Sequence, residues 1–380
     1  MSNRTEDTTT SKSTMKVAVA TGFGDIDSDV HIRTDWPRPS LKDDDIAFYK
    51  KQHDIKPKDD VRFMVIRVLS CALAPGDVRI LSGKTSYMQL PPGGHPYVPG
   101  SDVCGVVEEV QDGETKFKVG DVVVSRFDEP RPLGGLAEYR LVRTDLSERA
   151  PTKLSPEQCC GLPASGMAAK LLAERYVQGG DRVLILGGSG GVGAMLCQYV
   201  KLRGASFIAA TSTAKALVES LGADVVVDYR TTNWWEMEEF QKEKFDVVLD
   251  LVGGDNWEKG GLSGKAIKRG ATYAALVTGV RTEIVVQNTR DVIYVVLWFM
   301  SRILRSRLDP RVPRWVAPEA LELREGYLAG LFRDFDEGRI RPVLDPASPF
   351  PFTEEGVREA FRLQKSIHAH GKVVVKVSDP

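Results

Sequence analysis

The sequence predicts an α/β chain in two parts, an antiparallel, barrel-like β domain followed by a doubly wound parallel sheet. Three observations carry this. Short β-type runs broken by Gly, Pro and Asp fill the chain from Lys16 to Pro151, the spacing of a compact all-β unit. Apolar strands then alternate with helical stretches, without the in/out alternation of a half-exposed sheet. That is the pattern of a parallel sheet covered on both faces. Finally, a glycine run lies between one of those strands and a helix. The 380 residues suit two domains of roughly 150 residues each.

In chain order, the opening MSNRTEDTTTSKSTMK lacks the apolar core of a secretory signal and carries Glu6 and Asp7 early, so residues 1–15 are expected to be a disordered tail. KVAVAT, FMVIRVLSCAL, GVVEEV, DVVVSRF and AEYRLV are the β runs of the first domain. The charged stretch Leu41 to Asp60 interrupts them as a solvated surface insertion. A helical segment around Ser155 to Tyr176 leads into the strand RVLILGG, a helix from Gly193 to Leu202, the strand SFIAAT and a helix from Thr213 to Leu221. DVVVDY, FDVVLDLVG and ATYAALVTG follow as further strands. VIYVVLWFMSRIL, Val292 to Leu304, is apolar nearly all round and is followed by Arg305, Arg307, Arg311 and Arg314. It is too short to span a bilayer, which takes about 20 residues. Pro318 to Gly338 reads as an amphipathic helix, and HGKVVVKV as a closing strand that returns to the first domain. The expected organisation is 16–155 with 318–380 as one domain, and 156–317 as the other with a helical insertion at 291–308.

Composition excludes several classes of function. Lys plus Arg number 51 against 52 for Asp plus Glu, a formal charge of -1, so nothing draws the whole molecule to nucleic acid or an anionic membrane. Five cysteines with no C-x-x-C pair argue against a disulfide framework and a zinc ribbon, and for a reducing, cytoplasmic setting.

The motif that carries chemistry is Gly187-Gly188-Ser189-Gly190-Gly191-Val192-Gly193. The frame Gly188-x-Gly190-x-x-Gly193 supplies a tight turn, a close backbone approach to a pyrophosphate and close helix–sheet packing, with helix N–H groups facing the phosphates. At the end of the next strand an NAD site usually places a carboxylate on the ribose 2'-OH. Here stand Ser212, Thr213 and Lys215, which suit a 2'-phosphate, so the expected cofactor is NADPH. Ser212 and Thr213 also suit the cap of the following helix.

With ALAPGDVRILSG, YVPGSDVCGVVEEV, LPASGMAAKLL, DRVLILGGSGGVG, LGADVVVDY, FDVVLDLVGG and HGKVVVKV together, the chain resembles the medium-chain dehydrogenase/reductase superfamily, in its zinc-free quinone oxidoreductase and enoyl reductase branch. The resemblance implies a GroES-like catalytic domain and a Rossmann domain, with the nicotinamide in the cleft between them. It places Tyr229 beside the adenosine 2'-phosphate, and Val252-Gly253 and Leu276-Val277 beside the nicotinamide ribose and ring. Zinc alcohol dehydrogenases of the superfamily have a metal-binding Cys where this chain has Ala74, and Gly-His-Glu where it has Gly100-Ser101-Asp102. No metal is therefore expected, and without a Lewis acid the oxidation of an unactivated alcohol loses its main electrostatic support. Two departures stand out. The branch usually reads Asn-Pro-x-Asp where this chain has Ala74-Pro75-Gly76-Asp77, and a threonine where it has Ala168. The remaining polar candidates for the substrate side are Asp77 and Tyr87, the latter a donor to a developing enolate.

The expected activity is hydride transfer from NADPH to an activated alkene or a quinone, with a small apolar electrophile as substrate. The alternatives are a non-catalytic NADPH-binding scaffold, and a membrane-peripheral reductase of lipid-derived acceptors. A homodimer is expected, with the Val292 to Leu304 helix packed beside its interface and over the cleft. Weak membrane association through 292–307 is the competing expectation for that helix, and no nucleic-acid partner is expected.

Overall fold

The structure, a computed structural model, describes residues 13–52, 55, 61–87, 91, 94–126, 134–276, 285–317 and 326–380. Strand β1 (Thr14–Ala20), the short helix α1 (Ile26–Asp29) and strand β2 (Val30–Pro37) form an antiparallel hairpin unit. Thr14 and Met15, expected in the tail, belong to β1, because Met15 packs with Val17, Val19 and Ala137 in a small apolar cluster. The charged insertion contains helix α2 (Asp43–Gln52). It is not wholly solvated: Ile46 and Tyr49 pack on Phe63, Val65 and Leu141.

Strand β3 (Phe63–Ala72) is buried along nearly its whole length, and its apolar sequence lets it serve as the spine of the first sheet. Helix α3 (Pro75–Leu81) follows, then β4 (Val103–Val110), β5 (Val122–Ser125), β6 (Tyr139–Arg143) and β7 (Ser147–Arg149). β3 pairs antiparallel with both β4 and β6, β4 with β5, and β5 with β7.

Helices α4 (Pro156–Cys160) and α5 (Pro163–Tyr176) make the crossing to the second part, broken at Gly161 and Leu162 before Pro163. Then come β8 (Arg182–Leu186), α6 (Gly191–Leu202), β9 (Phe207–Thr211), α7 (Lys215–Ser220), β10 (Val225–Val227), α8 (Glu238–Lys242), β11 (Phe245–Asp250) and β12 (Ile267–Ala275). Helix α9 (Thr289–Leu308) precedes the edge strand β13 (Arg314–Val316). The six strands are all parallel, in the order β10-β9-β8-β11-β12-β13. The chain runs outward from β8, then returns to β11 on its other side, so the loops after β8 and β11 flank a topological switch point, where such sheets bind ligands.

Helix α10 (Tyr327–Asp336) lies past the expected division at 318. Its Leu328, Leu331 and Phe332 pack with α5 and α6 in a cluster shared by both sheets, and Leu331 lies against Gly166. Strand β14 (Phe350–Pro351), helix α11 (Glu354–Ser366) and strand β15 (Val374–Lys376) end the chain, with β15 antiparallel to β3 in the first sheet. Among the described residues no helix is long and apolar enough to cross a membrane.

Candidate cofactor and substrate cleft

The glycine loop is built by backbone. Gly187 takes φ 88, a left-handed conformation that favours glycine. Its N–H donates to the Thr211 hydroxyl at 2.9 Å, and the Gly188 N–H donates to the Thr211 carbonyl at 2.9 Å. A Cβ at Gly193 would collide with the Gly187 carbonyl and lie 2.9 Å from Cα of Gly188. Helix α6 therefore presses on the loop, and its first-turn N–H groups, beginning at Gly191 and Val192, face the space beyond it. Around Gly190, by contrast, the nearest atom to a Cβ would be 3.7 Å away, which leaves room for a ligand's close approach. These residues fit a dinucleotide pyrophosphate.

The end of β9 holds the next group. Ser212 is buried, and its hydroxyl accepts from the Ala214 N–H at 2.9 Å in a turn ahead of α7, whose N-cap Ala214 has no side-chain cap, so the expected capping by Ser212 or Thr213 is not made and the Ser212 hydroxyl proton is left to donate. Thr213 is half-buried beside it. Lys215 opens α7 with 70% of its side chain exposed and Glu219 at 3.7 Å. Tyr229, just past β10, is exposed, and its hydroxyl lies 3.5 Å from Nδ1 of His368.

Asp250, at the end of β11, organises the far side of the cleft. It is buried and accepts from the Tyr273 hydroxyl at 2.7 Å, the Val252 N–H at 2.9 Å and the Gly253 N–H at 2.8 Å. Its own carbonyl accepts from the Leu276 N–H at 2.9 Å. The carboxylate thus positions Val252 and Gly253 while the main-chain carbonyl of the same residue holds Leu276, and burial raises the carboxyl's pKa above the ordinary value. A Cβ at Gly187 would meet Val252 Cγ2 at 2.9 Å, so this turn touches the glycine loop. Val277 lies outside the described residues.

Four further residues border the loop, three from the HGKVVVKV segment and one from LPASGMAAKLL. Nδ1 of His370 lies 3.1 Å from the Ser189 hydroxyl, while its N–H donates to Asp345 at 2.7 Å. Gly371 forms a parallel bridge with Gly190. Buried Lys372 donates to the Leu73 carbonyl at 2.8 Å, so this segment clasps the glycine loop to the end of β3. Ser165 of α5 lies 3.0 Å from where a Gly191 Cβ would be. It therefore brings a hydroxyl to the loop although Ala168 brings none.

On the substrate side, Asp77 is engaged by internal donors. Its carboxylate accepts from the Ala74 N–H at 2.8 Å, the Gly100 N–H at 2.9 Å and the Ser101 hydroxyl at 2.7 Å, and only 3% of the residue is exposed. It ties the start of α3 to the Gly100 turn. Burial is the largest influence on it and raises its pKa. Tyr87 is more than half exposed at the rim, its hydroxyl 2.9 Å from that of Thr289.

Nor does this corner offer a metal its donors. Ala74 has none, the Ser101 hydroxyl is engaged by Asp77, and the Cys71 thiol is buried, with its pKa well above the ordinary thiol value because of that burial. Among the described residues no group of three or more His, Cys, Asp or Glu side chains is arranged to hold an ion. The residues present do not fit a catalytic zinc.

Comparison with known proteins gives two family matches. Residues 62–209 match the alcohol dehydrogenase GroES-like domain, and residues 221–375 the family described as zinc-binding dehydrogenase. The chain is 32% identical over 324 residues to the chloroplastic NADPH-dependent alkenal/one oxidoreductase of Arabidopsis thaliana, covering 82% of this chain and 71% of that protein. It is equally 32% identical over 324 residues, with the same coverage, to 2-methylene-furan-3-one reductase of Solanum lycopersicum. In architecture it resembles the quinone oxidoreductase of Escherichia coli solved with NADPH, at a TM-score of 0.71, 19% identity and coverage of 95% and 99% of the two chains.

Proposed function

We propose, for a chain that belongs to the medium-chain dehydrogenase/reductase superfamily and is an oxidoreductase of its quinone and enone reductase branch, that it reduces activated alkenes or quinones with NADPH. The carrying observation is the glycine loop together with the end of β9, where Ser212, Thr213 and Lys215 stand at the position that usually holds a carboxylate; Tyr229, just past β10, lies 3.5 Å from His368. Bound NADPH would supply the hydride, from C4 of its nicotinamide. The chain's residues would hold the pyrophosphate on Gly188 to Gly193 and seat the ribose and ring against Val252, Gly253 and Leu276. Orientation and exclusion of water are then the protein's main contribution.

An already electrophilic acceptor is favoured because the corner that holds zinc in alcohol dehydrogenases has its polar groups satisfied internally. Tyr87, at the rim, is the side chain offered here as a donor to the developing enolate oxygen. The alkenal/one and furanone substrates in the relatives' names support the enone class. All five cysteines are buried free thiols, which supports the cytoplasm as the compartment.

The test follows NADPH oxidation against enones, quinones and simple alkanals, with and without a chelator. Turnover of enones or quinones that chelator leaves unchanged supports the reading. Tight NADPH binding without turnover of any acceptor would instead favour a non-catalytic scaffold, the reading that Ala74 and Ala168 favour.

A further inference from the structure

Helix α9 leaves its outer face uncovered. A capping box starts it: the Asn288 side chain accepts from the Arg290 and Asp291 N–H groups, and Asp291 accepts from that of Asn288. Its inner face is anchored by aromatic packing, with Trp298 and Phe299 against Trp315 at ring separations of 6.2 and 5.5 Å. Arg302 is buried there, pairing with Glu258 and lying 3.7 Å from the Trp298 ring centre. The helix is thus firmly held, and its outward residues are set by that anchoring.

Those outward residues were expected to lie beside a homodimer interface, and in the single chain they are uncovered. Ile293, Val296, Leu297, Met300 and Leu304 are each about half exposed, and Leu308 is 78% exposed. Their spacing places them in one stripe along a single face. Arg290 at one end and Arg305, Arg307, Arg311 and Arg314 toward the other are exposed as well. The helix carries a single carboxylate, Asp291, and the cap consumes it. Asp309, just beyond, is held by Arg311 at 2.9 Å.

We infer that this face docks α9 in the plane of an anionic lipid surface, the apolar stripe entering the acyl boundary and the arginines meeting the headgroups. Apolar residues along one face with arginines at the ends is the chemistry of an interfacial helix. A second copy of the chain fits less well, because two such faces would bring arginines together with no outward carboxylate to meet them. Docking would also orient the cleft. The N-terminal end of α9 is joined to the rim by Thr289 with Tyr87, by the Val286 N–H to the Lys84 carbonyl at 2.7 Å, and by the Tyr87 N–H to the Val286 carbonyl at 3.2 Å. A lipid-borne acceptor would then reach the rim without crossing water. This last step rests on the reductase reading, whereas docking itself does not.

Flotation of the full chain with vesicles of phosphatidylcholine, or of phosphatidylcholine mixed equally with phosphatidylserine, tests it. Binding to the anionic vesicles is expected, falling as salt is raised. The triple variant Leu297→Ser, Met300→Ser, Leu304→Ser should bind at least roughly tenfold more weakly. Arg305→Gln with Arg307→Gln should lose roughly fivefold for each arginine. All five side chains concerned are exposed, and circular dichroism checks that the variants fold. Failure to bind anionic vesicles, or equal binding by both variants, overturns the inference. So does a dimer in solution that the triple variant converts to monomer while vesicle binding is unchanged, since a second copy would then own the face. NADPH oxidation with a water-soluble enone, measured without vesicles, reports separately on the reductase reading.

Discussion

The two walls of the cleft are built in opposite ways. The wall after β8 is made of backbone: glycines, helix N–H groups and a turn held open by Thr211 and Asp250, with donors directed at the space between. The wall after β3 directs its polar atoms at itself, as Asp77 gathers the Ala74 and Gly100 N–H groups and the Ser101 hydroxyl. The difference teaches where the chemistry comes from. One wall is preorganised to receive a charged ligand, and the other keeps a rigid, internally satisfied corner that contributes shape. A reductase that takes its hydride from a cofactor needs no more from that second wall than correct placement.

The largest break in this contrast should come from Gly193→Ala. The added methyl has no room against the Gly187 carbonyl, so the loop must shift. NADPH affinity should fall at least about a hundredfold, nearly 3 kcal/mol, in a fluorescence titration. Near-normal affinity would mean that α6 does not need to press on the loop.

Lys215→Glu tests the same wall at its adenosine end. Loss of one charge-assisted contact, worth about 1.5–3 kcal/mol, should weaken NADPH by roughly ten- to a hundredfold. NADH should be nearly unaffected, and its affinity measured in parallel gives the ratio. In the unsubstituted protein NADPH should bind at least about tenfold more tightly than NADH; equal affinities would remove the 2'-phosphate assignment.

His370→Ala asks whether the clasp contributes to ligand binding or only to structure. If the ring that approaches Ser189 also faces the phosphates, NADPH should weaken roughly fivefold, the worth of about one hydrogen bond. An unchanged dissociation constant by calorimetry would return His370 to a purely structural role.

The smallest effect on the cofactor is expected from Asp77→Asn. An amide keeps the shape but accepts on one oxygen only, so a buried donor loses its partner and thermal unfolding should show a loss of about 1–3 kcal/mol. NADPH affinity should stay within about twofold. A hundredfold loss of turnover in a variant that still folds and binds NADPH would sharpen the comparison in the other direction and give Asp77 a role in catalysis.

The glycine loop and the parallel sheet were legible because their physics is local. A strand, a turn that only glycine can make and a helix leave a contiguous signature, and the apolar runs of β8, β9 and β11 identify buried strands. Ser212, Thr213 and Lys215 were singled out by their position after the next strand and Tyr229 by the family resemblance, and Lys215→Glu is the test of that assignment. Asp250 was visible as a lone acid ending an apolar strand, a signal of a buried turn-former that sequence reading passed over. His368, His370 and Ser165 were not legible, since their importance comes from long-range packing that brings the chain's end and α5 onto the loop. The three internal partners of Asp77 were hidden for the same reason: a carboxylate beside a cleft motif looks the same in sequence whatever donors it meets. The apolar face of α10 was legible but not its neighbours, because it packs in a cluster shared by both sheets.

The clasp between Lys372 and Leu73 spans 299 positions of chain, and this has a consequence for how the protein is made. β3 leaves the ribosome early, while the segment that closes it onto the glycine loop is synthesised hundreds of residues later. The nascent polypeptide holds every strand of the parallel sheet, yet lacks β15 of the first sheet and the last border of its nucleotide pocket until translation reaches Gly371 and beyond. Cofactor capture is thereby deferred to the end of synthesis. A chain cut short, or nicked between α10 and β15 so that the tail is lost, would keep most of its core and still fail to hold its nucleotide firmly, so that tight retention marks a molecule carrying both ends.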